Sequence, residues 1–407
     1  MSDASALHYL RSTTAIRERC NNILAAALAG NDPFFSVNLN ALPIAAQRIN
    51  RLIDERFAGN PIPYHARWRH FEAGSIDRLA KLPNCNDVAE RARREIDLAV
   101  TAVLLDAGAG AQWTFTEHTT GWSGGRSEGL GVAAFHAFAQ GLFGGTSDAP
   151  QAHASSLQSL KIADIALSFQ VSESNPLVGL EGRTSLLNRL AGALKARPDL
   201  FGSAARPGHI FDYLTANGTH KAVSAANILA VVLQGLGPIW LTPSQLQGIA
   251  LGDAWQHSNA GGGAGANPES AGWVPFHKLS QWMTYSLLEP FERAGITVTG
   301  LEQLTGLPEY RNGGLLIDDG VLEVKSPAML TLTHEVGDEF IVSWRALTVA
   351  LLDHLANEVR TLRGATAAQL PLACVLEGGS WAAGRQTAQL LRGGLPPIQV
   401  NSDGTVF

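Results

Sequence analysis

Apolar side chains recur every three to four residues along most of the chain, with polar ones between them. Asp87–Asp106 is the clearest stretch. Ile96, Ala99, Val100, Val103 and Leu104 share one helical face, and Arg91, Arg93, Arg94 and Glu95 lie mostly off it. Asp87 with Glu90 forms a capping signature at the start, and Gly108 marks a stop. The same reading predicts helices over Ala6–Ala29 and Ala41–Phe57, broken by the turn GNDP, and over Glu128–Gln140, Ser155–Phe169, Gly182–Lys195, Ser224–Gln234, Pro243–Trp255, His277–Ala294 and Ser343–Leu362. Period-two alternation is scarcer. Trp113–Glu117 reads as a strand, GGLLIDDGVLEV (Gly313–Val324) as a hairpin around Asp319-Gly320, and PPIQVNSDGTVF (Pro396–Phe407) as a hairpin around Asp403-Gly404. No βαβ unit repeats. The expected fold class is mainly α with small β-hairpins or sheets (α+β).

Composition narrows the partners. The chain has 407 residues, 45% apolar and 16% charged, with a formal charge of -6 and scattered Lys and Arg. Duplex nucleic acid and an anionic membrane are thereby excluded as main partners, and a small electropositive pocket is not. The three cysteines, Cys20, Cys85 and Cys374, are widely spaced and suggest neither a disulfide framework nor a zinc site. The first residues lack the pattern of a signal peptide, and no run of about 18 apolar residues occurs. The expectation is a cytoplasmic protein with reduced thiols.

Several stretches carry candidate chemistry. GWSGG (Gly121–Gly125) matches the G-x-S-x-G elbow of serine hydrolases around Ser123, but the preceding TFTEHTT is too polar for the buried strand that elbow needs, and a chain with 42 glycines makes such a match by chance. The wider Trp113–Leu130 gathers Trp113, Glu117, His118, Trp122, Arg126 and Glu128 among glycines, as a ligand loop would or as a surface loop anchored by its tryptophans. ARWRHFEAGSIDR (Ala66–Arg78) sets Arg67, Arg69 and His70 beside aromatics, suited to an anion or to surface ion pairs. GDAWQH ends an apolar run with Asp253, Trp255 and His257, where a buried carboxylate needs a partner or a function. HKLSQWMTYSLLEP places His277, Gln281 and Thr284 on one helical face near Trp282 and Tyr285. LPEYRNGG presents Glu309, Tyr310 and Arg311 in a polar turn. No metal or cofactor motif is present, so neither is expected.

RWRHF, LLDAGAGAQW, GRSEGL, NPLVGLEGR, LGDAW, FHKLSQWMTYSLLEP, LPEYRNGGLLIDDGVL, WRALTVALLD and SDGTVF together resemble the signature segments of the uracil catabolism protein four family, from about Arg67 to Phe407. LQGIALGDAW and LSQWMTYSLLEPFERAGI are also similar to two helices of the queuosine-salvage N-glycosylase family, which has an Asp-x-Trp at Asp253 and Trp255. Tyr285 matches that family's second helix, and Thr284 and Ser286 depart from it. The first resemblance implies a role in a non-reductive uracil pathway, with a cyclohydrolase-like enzyme as functional partner and a ribosylurea-type intermediate as substrate. The second implies a helical DNA-glycosylase-like architecture, here a helical segment 1–60 packed on a catalytic domain 61–407. Together they imply metal-independent hydrolysis of an N-ribosyl bond, giving urea and ribose or its phosphate. Asp253 is then expected to stabilise the developing sugar cation, and Glu128, Glu117 or Glu309 to supply the proton. Trp122, Trp255 and Trp282 would dry the site, and Arg69 and Arg126 would hold a phosphate. Trp113, His277, Gln281, Tyr285 and Arg311 complete the expected binding set. The glycine-rich tract after His257 would serve as a lid. A non-catalytic channelling partner of the cyclohydrolase and a ureido amidohydrolase built on Ser123 are the competing classes.

Overall fold

The computed structural model describes residues 3–106, 108–262 and 268–401. It is mainly helical, and its strands are two or three residues long, paired into two-stranded sheets. The helices of nine residues or more are α1 (Thr13–Leu28), α2 (Leu42–Phe57), α3 (Val88–Leu104), α4 (Arg126–Ala139), α5 (Leu180–Ala196), α6 (Ala225–Leu236), α7 (Lys278–Arg293), α8 (Tyr310–Asp318), α9 (Glu339–Arg363) and α10 (Trp381–Arg392).

One continuous apolar cluster runs from Ile16 to Ile398. The long α9 packs along both α1 and α2, α7 packs against α3, and α8 against α10. Local chemistry sets the ends. The Asp87 carboxylate accepts from the N–H groups of Ala89 and Glu90 at the start of α3, and the Ser224 hydroxyl accepts from Asn227 at the start of α6. Ser12 caps α1 in the same way, so the expected Ala6–Ala29 helix is two helices, Asp3–Leu10 and α1.

Three of these expectations are corrected. Pro243–Trp255 is not a helix. Gln245–Leu246 and Ile249–Ala250 pair as a tight hairpin across Gln247 and Gly248, which both take positive φ (50° and 79°), and Ile249 is 47% exposed. Two adjacent left-handed residues make the turn type that hairpins favour, and this overrides the apolar spacing. Ala254–Gln256 then pairs with Trp273–Pro275. Second, Gly313–Val324 is not a hairpin. The Glu309 side chain caps α8, and Asp319-Gly320 ends that helix before Leu322–Val324 pairs with Phe35–Val37. Gly313 suits the helix because a Cβ there would meet the Trp344 indole of α9 at 2.7 Å. Third, Ser155–Phe169 is split into Ala154–Ser159 and Ile162–Ser168 at extended Leu160 and Lys161. Gln399–Asn401 pairs in parallel with Thr333–Glu335, and the remainder of the expected C-terminal hairpin, with its turn at Asp403-Gly404, falls outside the described residues. So does the second half of the proposed glycine lid, 263–267.

Trp113–Glu117 is borne out as a strand over Phe115–Glu117, paired with Trp122–Gly124. Among the described residues no helix is long and apolar enough to cross a membrane, and the three cysteines are unpaired.

Candidate active site

The ends of several elements converge on a cavity of about 350 Å3. Asp106 and the small residues Gly108–Ala111, just past α3, form one wall. The first turn of α4 gives Arg126 and Ser127, and the first turns of α7 give Lys278, Leu279 and Trp282. Leu307, Glu309, Tyr310 and Arg311 come from the entry to α8. His65, His70 and Trp381 close the space. Three cationic side chains and two carboxylates therefore face one enclosure walled by two indoles, a composition typical of small-molecule sites.

The carboxylates keep capacity for a ligand. Glu309 Oε1 accepts from the Asn312 N–H at 2.6 Å and Oε2 from the Arg311 N–H at 2.9 Å, one bond to each oxygen. Asp106 Oδ1 lies 3.0 Å from Arg67 Nη1, an ion pair without the alignment of a hydrogen bond. An ionised carboxylate can accept about four bonds, so roughly half of Glu309's acceptor capacity remains.

The two histidines are held differently. Arg67 Nη1, always a donor, meets His70 Nδ1 at 3.0 Å, so Nδ1 accepts and Nε2 carries the proton. Burial, with the Arg67 charge, pushes the His70 pKa well below its ordinary value and keeps the ring neutral. His65 Nδ1 instead meets Glu377 Oε2 at 2.8 Å, and Arg56 also pairs with Glu377 at 3.1 Å. His65 Nε2 has no partner among the described residues. Glu377 sits in a single π-helical turn, Leu376–Ser380, whose Gly378 and Gly379 press against Ile53 and Ile49 of α2. Such turns recur at functional sites because the extra residue re-aims a side chain. Burial also lowers the Lys278 pKa, helped by Arg345 and opposed by Glu309, Asp253 and Asp106.

Of the expected site residues, Arg126, Trp282, Glu309 and Arg311 line this cavity. Asp253 does not. It is 6% exposed, and all its acceptor positions are engaged. Trp255 Nε1 (2.9 Å) and Arg345 Nη1 (2.8 Å) donate to Oδ1, and the Lys278 N–H (3.0 Å) and Arg345 Nη2 (2.7 Å) donate to Oδ2. Burial would raise its pKa, but the Arg345 charge and these bonds hold it below the usual carboxylate value. His277 takes a left-handed φ of 48° and makes no side-chain cap, so Asp253 caps α7 from outside and sets Lys278 at the cavity wall.

The other expected residues are engaged elsewhere. Arg69 donates twice to Glu289. Trp113 Nε1 donates to the Phe169 carbonyl in the core. Glu117 pairs with Arg78 and His136 and accepts from Thr120; burial opposes ionisation, yet these donors bring its pKa down to about 2. Trp122 covers Arg78 at 5.1 Å. His277 Nε2 meets the Leu10 carbonyl, Gln281 donates to Thr305 Oγ1, and Tyr285 donates to the Thr305 carbonyl. Glu128 binds Arg385, whose guanidinium lies 5.5 Å over Trp381. Burial opposes ionisation there, but the Arg385 hydrogen bond and charge keep the pKa low, the reverse of what a general acid needs. Ser123 sits exposed on its strand and shares a hydrogen bond with Thr116, so the elbow geometry is absent.

Sequence reasoning missed Asp106, Lys278, His65, Glu377 and Trp381 as site residues, and named His70 only beside Arg67 and Arg69 in a stretch suited to an anion or to surface ion pairs. Asp106, Lys278 and His70 all lie within LLDAGAG, FHKLSQW and RWRHF, three of the segments that carry the family resemblance, and that was the available signal.

On a helical frame, one cavity thus gathers carboxylates, imidazoles and cations. The particular family follows from comparison. The family model "Protein of unknown function (DUF1688)" matches residues 9–407. The chain is 38% identical to Protein urg3 of Schizosaccharomyces pombe over 98% of both chains, and 35% identical to Uracil catabolism protein 4 of Lachancea kluyveri over the full length of both. The chain belongs to this family.

Proposed function

We propose that the chain acts in uracil catabolism as an N-ribosyl hydrolase, cleaving a ribosylurea-type intermediate or a phosphate of it. The name of the Lachancea kluyveri relative supports the pathway. The observation that carries the reaction is one enclosure faced by two carboxylates with free acceptor capacity and by an imidazole backed by a carboxylate. Breaking C1'–N places positive charge on the sugar, and Glu309 beside C1' stabilises it. Glu309 takes a proton from the attacking water, whose oxygen bonds to C1'. His65, acting as the imidazolium with Nδ1–H donating to Glu377, gives its Nε2 proton to the leaving urea nitrogen and is left neutral. Neutral His70 donates from Nε2 to a substrate oxygen, and Asp106 holds sugar hydroxyls. Trp282 and Trp381 exclude water. Asp253 and Arg345 are positioning residues that fix the start of α7.

The test is direct. Purified protein is incubated with ribosylurea and with its 5'-phosphate, and free urea and reducing sugar are measured, with Glu309→Gln alongside. Equal release of urea and sugar, abolished in the variant, is the expected result. Saturable binding without release from either compound would replace hydrolysis with the channelling role.

A further inference from the structure

The cavity holds a buried charge that bond cleavage does not use. Arg311 is 8% exposed, and its guanidinium stacks on the Trp381 ring at 4.1 Å from the centroid and lies 5.4 Å from the Tyr310 ring. Its Nε donates to the Tyr310 hydroxyl at 3.1 Å. Among the described residues no carboxylate pairs with it, and Glu309 turns its oxygens to backbone N–H groups instead. Other buried arginines are satisfied by the protein: Arg78 by Glu117, Arg206 by Asp97 and Glu90, Arg345 by Asp253, and Arg183 by main-chain carbonyls. Burying an unpaired cation is strongly unfavourable, and a guanidinium fork held flat against an indole is preorganised for an oxyanion.

Arg126 lines the same cavity, with its side chain exposed. It opens α4 with a left-handed φ of 52°, a conformation that costs energy for a side chain other than glycine, and it too has no ion-pair partner among the described residues. Its guanidinium lies beside Gly394, where a Cβ would stand 3.3 Å from Nη2.

We propose that Arg311 and Arg126 form an oxyanion subsite that takes the phosphomonoester of a ribosyl substrate. A carboxylate is saturated by one guanidinium fork, whereas a phosphate dianion with three terminal oxygens accepts two. The three cations of the lining outnumber its two carboxylates, so an anionic ligand is favoured there. The inference rests on the N-ribosyl hydrolase reading and fixes the form of substrate which that reading leaves open.

Binding without turnover separates the two. Ribose 5-phosphate, ribose and inorganic phosphate are titrated by calorimetry into wild type, Arg311→Met and Arg126→Met, with circular dichroism as the folding control. The expected result is ribose 5-phosphate binding about a hundredfold more tightly than ribose, with at least about tenfold lost in each variant and most in Arg311→Met. Arg311→Lys, which keeps the charge and removes the fork, should recover only part. Equal affinity for ribose and ribose 5-phosphate would overturn the proposal. So would unchanged binding in both variants, or inorganic phosphate binding as tightly as the sugar phosphate. Should Arg311→Met fail to fold, exposed Arg126→Met with Arg311→Lys decides the matter. Arginine-dependent binding without urea release would keep the subsite and remove the hydrolase reading. Urea release from ribosylurea with no binding of ribose 5-phosphate would do the reverse.

Discussion

Asp253 and Glu309 are both carboxylates at the entrance of a helix, and they end differently. Asp253 has four donors on its two oxygens, including the Arg345 fork, and no lone pair left for a ligand. Glu309 caps α8 with one bond to each oxygen and turns the rest of its capacity to the cavity. Asp253 is also the more buried of the two, but what decides availability to a ligand is acceptor capacity. A buried acid saturated by the protein is architecture, and one left partly unsatisfied at a cavity wall is available for chemistry.

That contrast breaks first at Asp253. Asp253→Asn strips a buried pair and should cost about 3–5 kcal/mol of stability, read by denaturant unfolding. Replacing both partners, Asp253→Leu with Arg345→Met, should recover a large part. The pH dependence has a definite sign. The folded-state pKa of Asp253 lies below its unfolded value near 3.9, so its contribution is present above that value and is lost as pH falls through the folded pKa. The gap between wild type and Asp253→Asn should narrow on acidification from about pH 4 downward. Wild-type and variant unfolding curves that stay equally far apart down to pH 2 would contradict it.

The cavity groups come next. His65→Ala and Glu377→Gln should each slow urea release by about 10²–10⁴-fold with little change in sugar binding. Glu377→Gln should also reshape the pH–rate profile, because the dyad that orients His65 loses its charge. A uniform loss with an unaltered profile would leave the pair a structural contact.

A smaller effect is expected at His70. Its folded pKa is lowered, so the unfolded chain binds a proton more readily and stability falls as pH drops below about 6.5. His70→Asn should flatten that part of the stability curve by about 1 kcal/mol, measured between pH 7 and 5. The smallest effect belongs to Ser123→Ala, whose exposed hydroxyl touches only Thr116. Stability should move by less than about 0.5 kcal/mol, and turnover should be unchanged. Lost turnover would revive the serine-hydrolase class.

The helical framework was legible because burial imposes a period on sequence, as along α3 and α9. The stretch around Asp253 was not, because Gln247 and Gly248 together form a turn that spacing cannot register. α8 was hidden for a related reason: its glycines read as a turn, yet they let the helix press against Trp344 and carry Arg311 to Trp381. The candidate site was half legible. Arg126, Trp282, Glu309 and Arg311 sit in conspicuous polar or aromatic stretches. Asp106, His65 and Trp381 are far apart in the chain, and only folding brings them together. Asp253 attracted attention for a sound reason, an acid in an apolar run, and the partner that explains it, Arg345, is 92 residues away.

The most direct measurement is urea release per folded molecule from ribosylurea 5'-phosphate by Asp253→Asn and Glu309→Gln, with the folded fraction set by circular dichroism. The expected result is turnover within about tenfold of wild type for Asp253→Asn and a loss of about 10³-fold or more for Glu309→Gln. The opposite order, with Glu309→Gln active and folded Asp253→Asn inert, would return the chemistry to Asp253 and contradict the assignment of the cavity carboxylates.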